Sequence, residues 1–406
     1  MKKTLTLLIF TLLLAGGALA QDNKPQIKVG GQLFATAYYD SYKSVDSREG
    51  VSYSFPLAPN LDPNGNDLNK VSQFGMSVYQ TRFSITADQF RLLNADARVY
   101  LQTDFMGSSA NFFQMVRLRH AYIDLRWKND EVLFGQTNNL EMVEETISGL
   151  LTAGSGNPIS VLERPIMLRY GRRLGGGWKA YLAASFHRVQ TGDPDAGRNS
   201  GYPSAEARLQ YGSADKVLFG VAGSYKNFRP RIETADGYKA SERIGSANVT
   251  AFLRATFRGG EWLKVQGLYG SNLTNMGYVG GYGRKLADAG DDDYGYTNFK
   301  GAAAWIDFQS RSYKNFHWGL FGGYMESLGT GKDVDPTMLF ARHAGLHYTG
   351  RVSPRVTYET GGVLIGLEYS LFWAKWGKTF DEKYLPTESF DMTYNNRVTL
   401  LLKYTF

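Results

Sequence analysis

Guanidinium, ammonium and carboxylate side chains recur along this chain between apolar neighbours, at positions two residues apart. On extended backbone that spacing puts charges on one side and apolar groups on the other. It gathers Arg82, Arg98, Arg169, Arg173, Arg208, Arg254, Arg258, Lys179 and Lys264 on one face. Asp88, Asp96, Asp104, Glu206, Asp307 and Glu368 share that face. Guanidinium groups grip carboxylate or phosphate through paired hydrogen bonds. A ring of such charges in a narrow passage selects solutes by sign and orients them. The simpler alternative is a wall whose charges neutralise one another and hold water.

Other chemistries have little support. The five histidines are His120, His187, His317, His343 and His347. His343 and His347 share a strand face but stand about 13 Å apart at the rise of extended chain, too far for one metal ion. No glycine-rich phosphate loop, serine nucleophile elbow or paired metal motif occurs. There is no cysteine, hence no disulfide, thiol nucleophile or thiolate metal site. Asp288, Asp291, Asp292 and Asp293 cluster in one loop. A metal held by Asp291, Asp292 and Asp293 is the weaker reading, since the spacing is not that of a helical calcium loop. A solvated acidic loop is the stronger. No catalytic residue and no cofactor is therefore expected. The formal charge of +7 is mild for 406 residues, and no basic tract suits nucleic acid.

The elements that position these charges are strands. In 244–258, Val249, Ala251, Leu253, Ala255 and Phe257 alternate with Asn248, Thr250, Phe252, Arg254, Thr256 and Arg258. In 362–376, Ile365, Leu367, Tyr369, Leu371 and Trp373 alternate with Gly366, Glu368 and Ser370. The pattern predicts sixteen strands, at 26–42, 73–89, 94–107, 114–128, 131–138, 164–173, 176–190, 202–212, 216–228, 244–258, 261–273, 297–310, 314–327, 339–359, 362–376 and 394–406. Connections alternate short and long. The long ones are 43–72, 139–163, 191–201, 229–243, 274–296, 328–338 and 377–393, with 108–113 rather short. No segment after residue 20 offers about 18 unbroken apolar residues, so no membrane helix is expected. Aromatic content is 14% and mean hydropathy is −0.32. Together these predict an all-β fold, a transmembrane antiparallel barrel with short periplasmic turns and long extracellular loops. A soluble sandwich gives no reason for the alternation of loop lengths. Trp178, Trp262, Trp318 and Trp373 fall near strand ends, as an interfacial girdle requires.

Sixteen strands leave an aqueous channel, whereas about eight fill themselves with side chains. Something must narrow such a channel. The connection 139–163 is the candidate constriction loop, because its apolar residues fit poorly on a water-facing loop. Folded into the barrel it would bury them and place Glu141, Glu144 and Glu145 near the lumen. Residues 1–20 read as a signal peptide of Sec type. Lys2 and Lys3 precede an apolar run, and Ala18-Leu19-Ala20 is a small-residue cleavage site. The mature single domain would then be 21–406. The last strand ends in Tyr404 and Phe406. That ending resembles the signal by which Gram-negative bacteria insert outer-membrane barrels.

Arg117-Leu-Arg-His-Ala-Tyr-Ile-Asp-Leu-Arg-Trp127, then Leu133-Phe-Gly-Gln-Thr137, resembles a strand pair of the DcaP-like porins. Gln80-Thr-Arg-Phe-Ser84 is similar to the strand before it. The resemblance implies a trimeric sixteen-stranded outer-membrane channel for passive diffusion of small hydrophilic solutes, with a preference for anions. It places Arg82, Arg117 and Arg119 on the pore wall. Partners would be the solutes, outer-membrane lipid and lipopolysaccharide, the barrel assembly machinery and two further copies of the chain, with no nucleic acid. The chain departs from the family in lacking an N-terminal helical extension. In 114–128, His120, Tyr122 and Asp124 fall on the nominal outer face. A subunit interface would explain that, and so would a misplaced register. A barrel hydrolase and a nonconducting structural or adhesion barrel are the rival classes.

Overall fold

The computed structural model describes residues 24–406 except 46, 49, 53, 108–111 and 113. The expected signal segment 1–20 and its cleavage site lie outside the described residues. Strands dominate: β1 (Gln26–Asp40), β2 (Gln73–Ser77), β3 (Arg82–Leu92), β4 (Ala95–Asp104), β5 (Arg117–Arg126), β6 (Asp130–Gln136), β7 (Ile166–Gly175), β8 (Trp178–Phe186), β9 (Ser204–Gly212) and β10 (Val217–Phe228). Then come β11 (Ile244–Thr256), β12 (Trp262–Ser271), β13 (Gly280–Lys285), β14 (Tyr296–Gln309), β15 (Phe316–Thr330), β16 (Val334–Arg342), β17 (Leu346–Thr360), β18 (Val363–Phe380), β19 (Pro386–Ser389) and β20 (Thr393–Thr405).

Neighbouring staves pair antiparallel, and β1 closes the sheet. One edge of β1 pairs with β20, from Gln32 opposite Thr405 to Asp40 opposite Arg397. Its other edge pairs with β2 and β3, which form one stave interrupted at 78–81. The result is a closed barrel of sixteen antiparallel strands. Closure satisfies every edge, which a strand in hydrocarbon requires. The remaining segments lie within long connections: β13 pairs with β14 and β16, and β19 with β18.

Alternation sorts the side chains as the sequence predicts. On β20, Val398, Leu400, Leu402 and Tyr404 are exposed outward, whereas Arg397, Thr399 and Leu401 are buried. On β18, Ile365, Leu367 and Tyr369 face out while Glu368 and Ser370 are wholly buried. The outer surface is apolar around the cylinder, and the polar groups are inside.

Two strand expectations need correction. The span 339–359 is two strands, since the chain turns at His343, whose φ is +48°. Residues 339–342 belong to β16 and pair with β13; only from Leu346 does the chain join the barrel. In β5 the register slips. Gln102 faces His120 but Thr103 faces Leu118, so Arg119 is an extra residue in a bulge. A bulge moves every later side chain to the opposite face. Arg117 and Arg119 point inward before it, and His120, Tyr122 and Asp124 after it; Asp124 is buried. Register, and not a subunit interface, accounts for the irregular pattern.

Candidate functional site

The barrel interior is crossed by the connection between β6 and β7. Its apolar side chains Met142, Ile159 and Val161 pack on Leu268, Trp305, Phe321 and Met325 of β12, β14 and β15. Backbone groups left unpaired by this irregular path are met by inward-facing side chains of the wall. The Leu140 amide donates to Glu206 (2.8 Å), the Gly149 amide to Asp307 (2.6 Å) and the Leu151 amide to Glu368 (2.8 Å). In return Arg208 donates to the Leu140 carbonyl (3.2 Å), Arg254 to that of Glu145 (3.0 Å) and Lys264 to that of Ile147 (2.6 Å). Wall acids take the loop's amides and wall bases its carbonyls. Unpaired buried backbone is costly, so charge alternation on β9, β11, β12, β14 and β18 holds the loop in place.

Other charges are locked in pairs. Arg397 donates two bonds to Asp40 (2.7 and 2.5 Å) and further bonds to the Gly50 carbonyl and the Ser54 hydroxyl. This draws the first long connection inward, where Phe55 and Val45 pack on Leu346, Ala374 and Trp376. Arg351 pairs with Glu368 (3.0 Å) and Arg355 with Asp307 (2.7 Å). Arg169 meets Glu131 at 3.0 Å.

The wall at β3–β5 is different. Asp104 is fully buried and holds both Arg117 (2.6 Å) and Arg119 (2.9 Å). Arg164, from the inner loop, stands among Arg82, Arg117 and Arg119. Among the described residues, Arg82, Arg98 and Arg164 have no ion pair. Arg82 reaches only Gln32 (3.3 Å) and the face of Phe34, and Arg98 lies over Tyr100 at 5.0 Å. Asp104 thus faces four guanidinium groups, Arg82, Arg117, Arg119 and Arg164, while Arg98 stands further along β4 opposite Asp124, which is itself paired with Arg126. A mobile anion is the counter-charge that the patch at Asp104 attracts.

The sequence-selected residues separate accordingly. Arg98 stands further along β4, opposite Asp124 and over Tyr100, while Arg82, Arg117 and Arg119 meet at this patch. Arg208, Arg254 and Lys264 sit across from it, with Glu145 their shared electrostatic neighbour. Lys179 is on β8, half-buried and facing inward. Arg258 is corrected: it is exposed in the turn after β11, not on the inner wall. Glu141 is corrected too. It is wholly buried and accepts hydrogen bonds from Asn248 and Thr250, so it anchors the loop and does not face the lumen. Glu144 and Glu145 are exposed. Glu206 and Glu368 serve the loop's amides. Tyr404 is outward-facing, and Phe406 bonds Gly31 through its backbone at 3.1 Å. Asp291, Asp292 and Asp293 are joined to neighbouring loop segments: Asp292 accepts from the Ala235 and Asp236 amides, and Asp293 lies 3.7 Å from Arg231. Arg351, Arg355, Arg397, Arg164 and Asp40 went unselected. Alternation with Val352 and Val356, and with Val398, was the available signal for three of them.

At the loop's base, Ser185, His187 and Glu163 have the spacing of a nucleophilic triad. Ser185 Oγ is 3.0 Å from His187 Nε2, and His187 Nδ1 is 2.7 Å from Glu163 Oε1. A fourth group changes the chemistry. The Ser185 hydroxyl donates to Glu206 at 2.6 Å, so its oxygen accepts from His187 Nε2. Both ring nitrogens then donate and the ring is an imidazolium, unable to act as a base toward Ser185.

No protein-family model matches the chain, and no curated protein matches it in sequence. Solved structures do match in fold. The outer membrane channel DcaP of Acinetobacter baumannii superposes with a TM-score of 0.68 at 16% identity, over 94% of this chain and 97% of that one. An anion-selective porin from Comamonas acidovorans gives 0.57 at 9% identity, over 94% and 100%. OmpF of Salmonella typhi, in complex with daunomycin, gives 0.52 at 11% identity, over 94% and 98%. The chain has the fold of the sixteen-stranded outer-membrane porins.

Proposed function

We propose that this chain is an outer-membrane porin, a water-filled passage for small hydrophilic solutes with a preference for anions. The observation that carries the reading is the unequal charge of the inner wall. Loop-bearing staves balance acids against bases, while at β3–β5 Asp104 stands among four guanidinium groups, Arg82, Arg117, Arg119 and Arg164. The inner loop is the constriction, with Glu144 toward Tyr122 of β5 and Glu145 beside Arg208, Arg254 and Lys264 of the opposite staves. Opposed charges of this kind set up a transverse field that orients polar solutes. Support also comes from the fold shared with an anion-selective porin. A homotrimer, export through the segment 1–20, and insertion by the barrel assembly machinery through Tyr404 and Phe406 belong to the same reading. A hydrolase reading meets the imidazolium at Ser185, which leaves that hydroxyl without a base.

The test is liposome swelling with purified protein. Vesicles should swell in small sugars and faster in monovalent organic anions than in cations of equal size. No swelling by a folded, inserted barrel would overturn the reading.

A further inference from the structure

Both stems of the inner loop meet at one buried cluster. The Asn139 amide donates to the Glu163 carbonyl (3.2 Å), and the Asn139 side chain to Glu163 Oε2 (3.1 Å). One residue on, the Leu140 amide is held by Glu206. His187 lies between these two carboxylates, 2.7 Å from Glu163 and 3.4 Å from Glu206, and Ser185 completes the ring of contacts. Asn275 donates to Glu163 at 2.7 Å and accepts from Lys226, so the 273–276 turn and β10 join the same cluster. Ser185, His187, Glu163 and Glu206 are each less than a tenth exposed. A loop of this length has two ends to fix. Elsewhere along it single wall groups each hold one peptide unit; here one cation holds the entry stem through Glu206 and the exit stem through Glu163.

We propose that His187, clamped between Glu163 and Glu206, is the positioning residue that sets where the inner loop stands in the lumen. The proposal rests on the porin reading for its consequence, a steady pore size, but the clasp itself can be probed without current. Loss of the cation leaves two buried carboxylates without their shared partner, and an uncompensated buried charge is strongly destabilising, so the two stems lose their common tie. The loop then rocks on its remaining single anchors.

The experiment uses the cysteine-free chain with one introduced thiol, Leu151→Cys. Leu151 is buried beneath Phe34 and Leu401, far along the loop from His187. With the clasp intact, a charged thiol reagent should modify that cysteine slowly. Adding His187→Gln should raise the rate more than tenfold, and His187→Lys, which restores the charge, should bring it back toward the starting value. Single-channel currents of the variants without the cysteine should follow: steady for the parent and His187→Lys, flickering between sublevels for His187→Gln. Glu206→Gln is the second variant, with the same expected rise in rate, should His187→Gln fail to insert. Equal thiol rates in all folded variants would overturn the proposal. Absence of current from the parent would instead overturn the porin reading, leaving the thiol rates to decide on the clasp.

Discussion

Arg82→Ala removes a guanidinium that has no acidic partner and therefore acts on whatever passes. An ion about 5 Å from a unit charge in water feels about 0.8 kcal/mol, and screening at 0.1 M salt reduces this to about 0.5 kcal/mol. The term has opposite sign for anion and cation, so the permeability ratio changes by about 1 kcal/mol, or about fivefold. Low-dielectric walls enlarge it. The assay is the zero-current potential across a planar bilayer under a salt gradient, at two mean concentrations. The ratio should move toward cations at 0.1 M and much less at 1 M, where the Debye length is about 3 Å. Arg82→Lys, which keeps the charge, should leave the ratio near the parent value. An unchanged potential in a folded Arg82→Ala barrel, or a change independent of salt, would refute the idea that unpaired arginines select the ion.

Arg397→Ala should behave oppositely, because Arg397 and Asp40 are buried together. Stranding that carboxylate costs about 3–5 kcal/mol, so the midpoint of urea unfolding should drop clearly while ion selectivity changes little. On the outer face, Leu400→Arg near the middle of β20 should destabilise the inserted barrel by about 2–4 kcal/mol, and Tyr394→Arg at the rim by about 0–1 kcal/mol. Comparable effects at the two positions would contradict the assigned membrane-facing surface. In the outer loops, Asp335 is held down to about 2 by the Thr337 hydroxyl, Arg284 and the Thr337 amide. A carboxylate with a depressed value lends stability above its free value and loses it as pH falls through the folded one. Pairing of β13 with β16 should thus survive pH 4 and loosen below about pH 3. Amide exchange reads this, and Asp335→Asn should remove the pH step.

The barrel was legible because its signals are local. Alternation over each strand and alternation of loop lengths need no tertiary knowledge, and fifteen of the sixteen staves fall within about four residues of their expected spans, the exception being 339–359, whose stave begins at Leu346. The connection 139–163 stood apart through a mismatch, apolar residues where water was expected. What escaped depends on single residues or on closure. One extra residue at Arg119 leaves no compositional trace, yet it turns His120, Tyr122 and Asp124 inward. Glu141 had the chemistry of a lumen charge, but Asn248 and Thr250 take it into the wall. Arg258 continued the alternation of β11 past the point where the strand ends. The clasp joins residues from 139 to 275, and nothing in their neighbourhoods in sequence announces that they meet.

The central claim is a hydrated, anion-favouring passage through the cylinder, and single-channel recording of the purified parent protein in a salt gradient tests it most directly. Discrete conductance steps with a zero-current potential on the anion side are the predicted result. A correctly folded protein that gives no steps, or steps with cation preference, would contradict it.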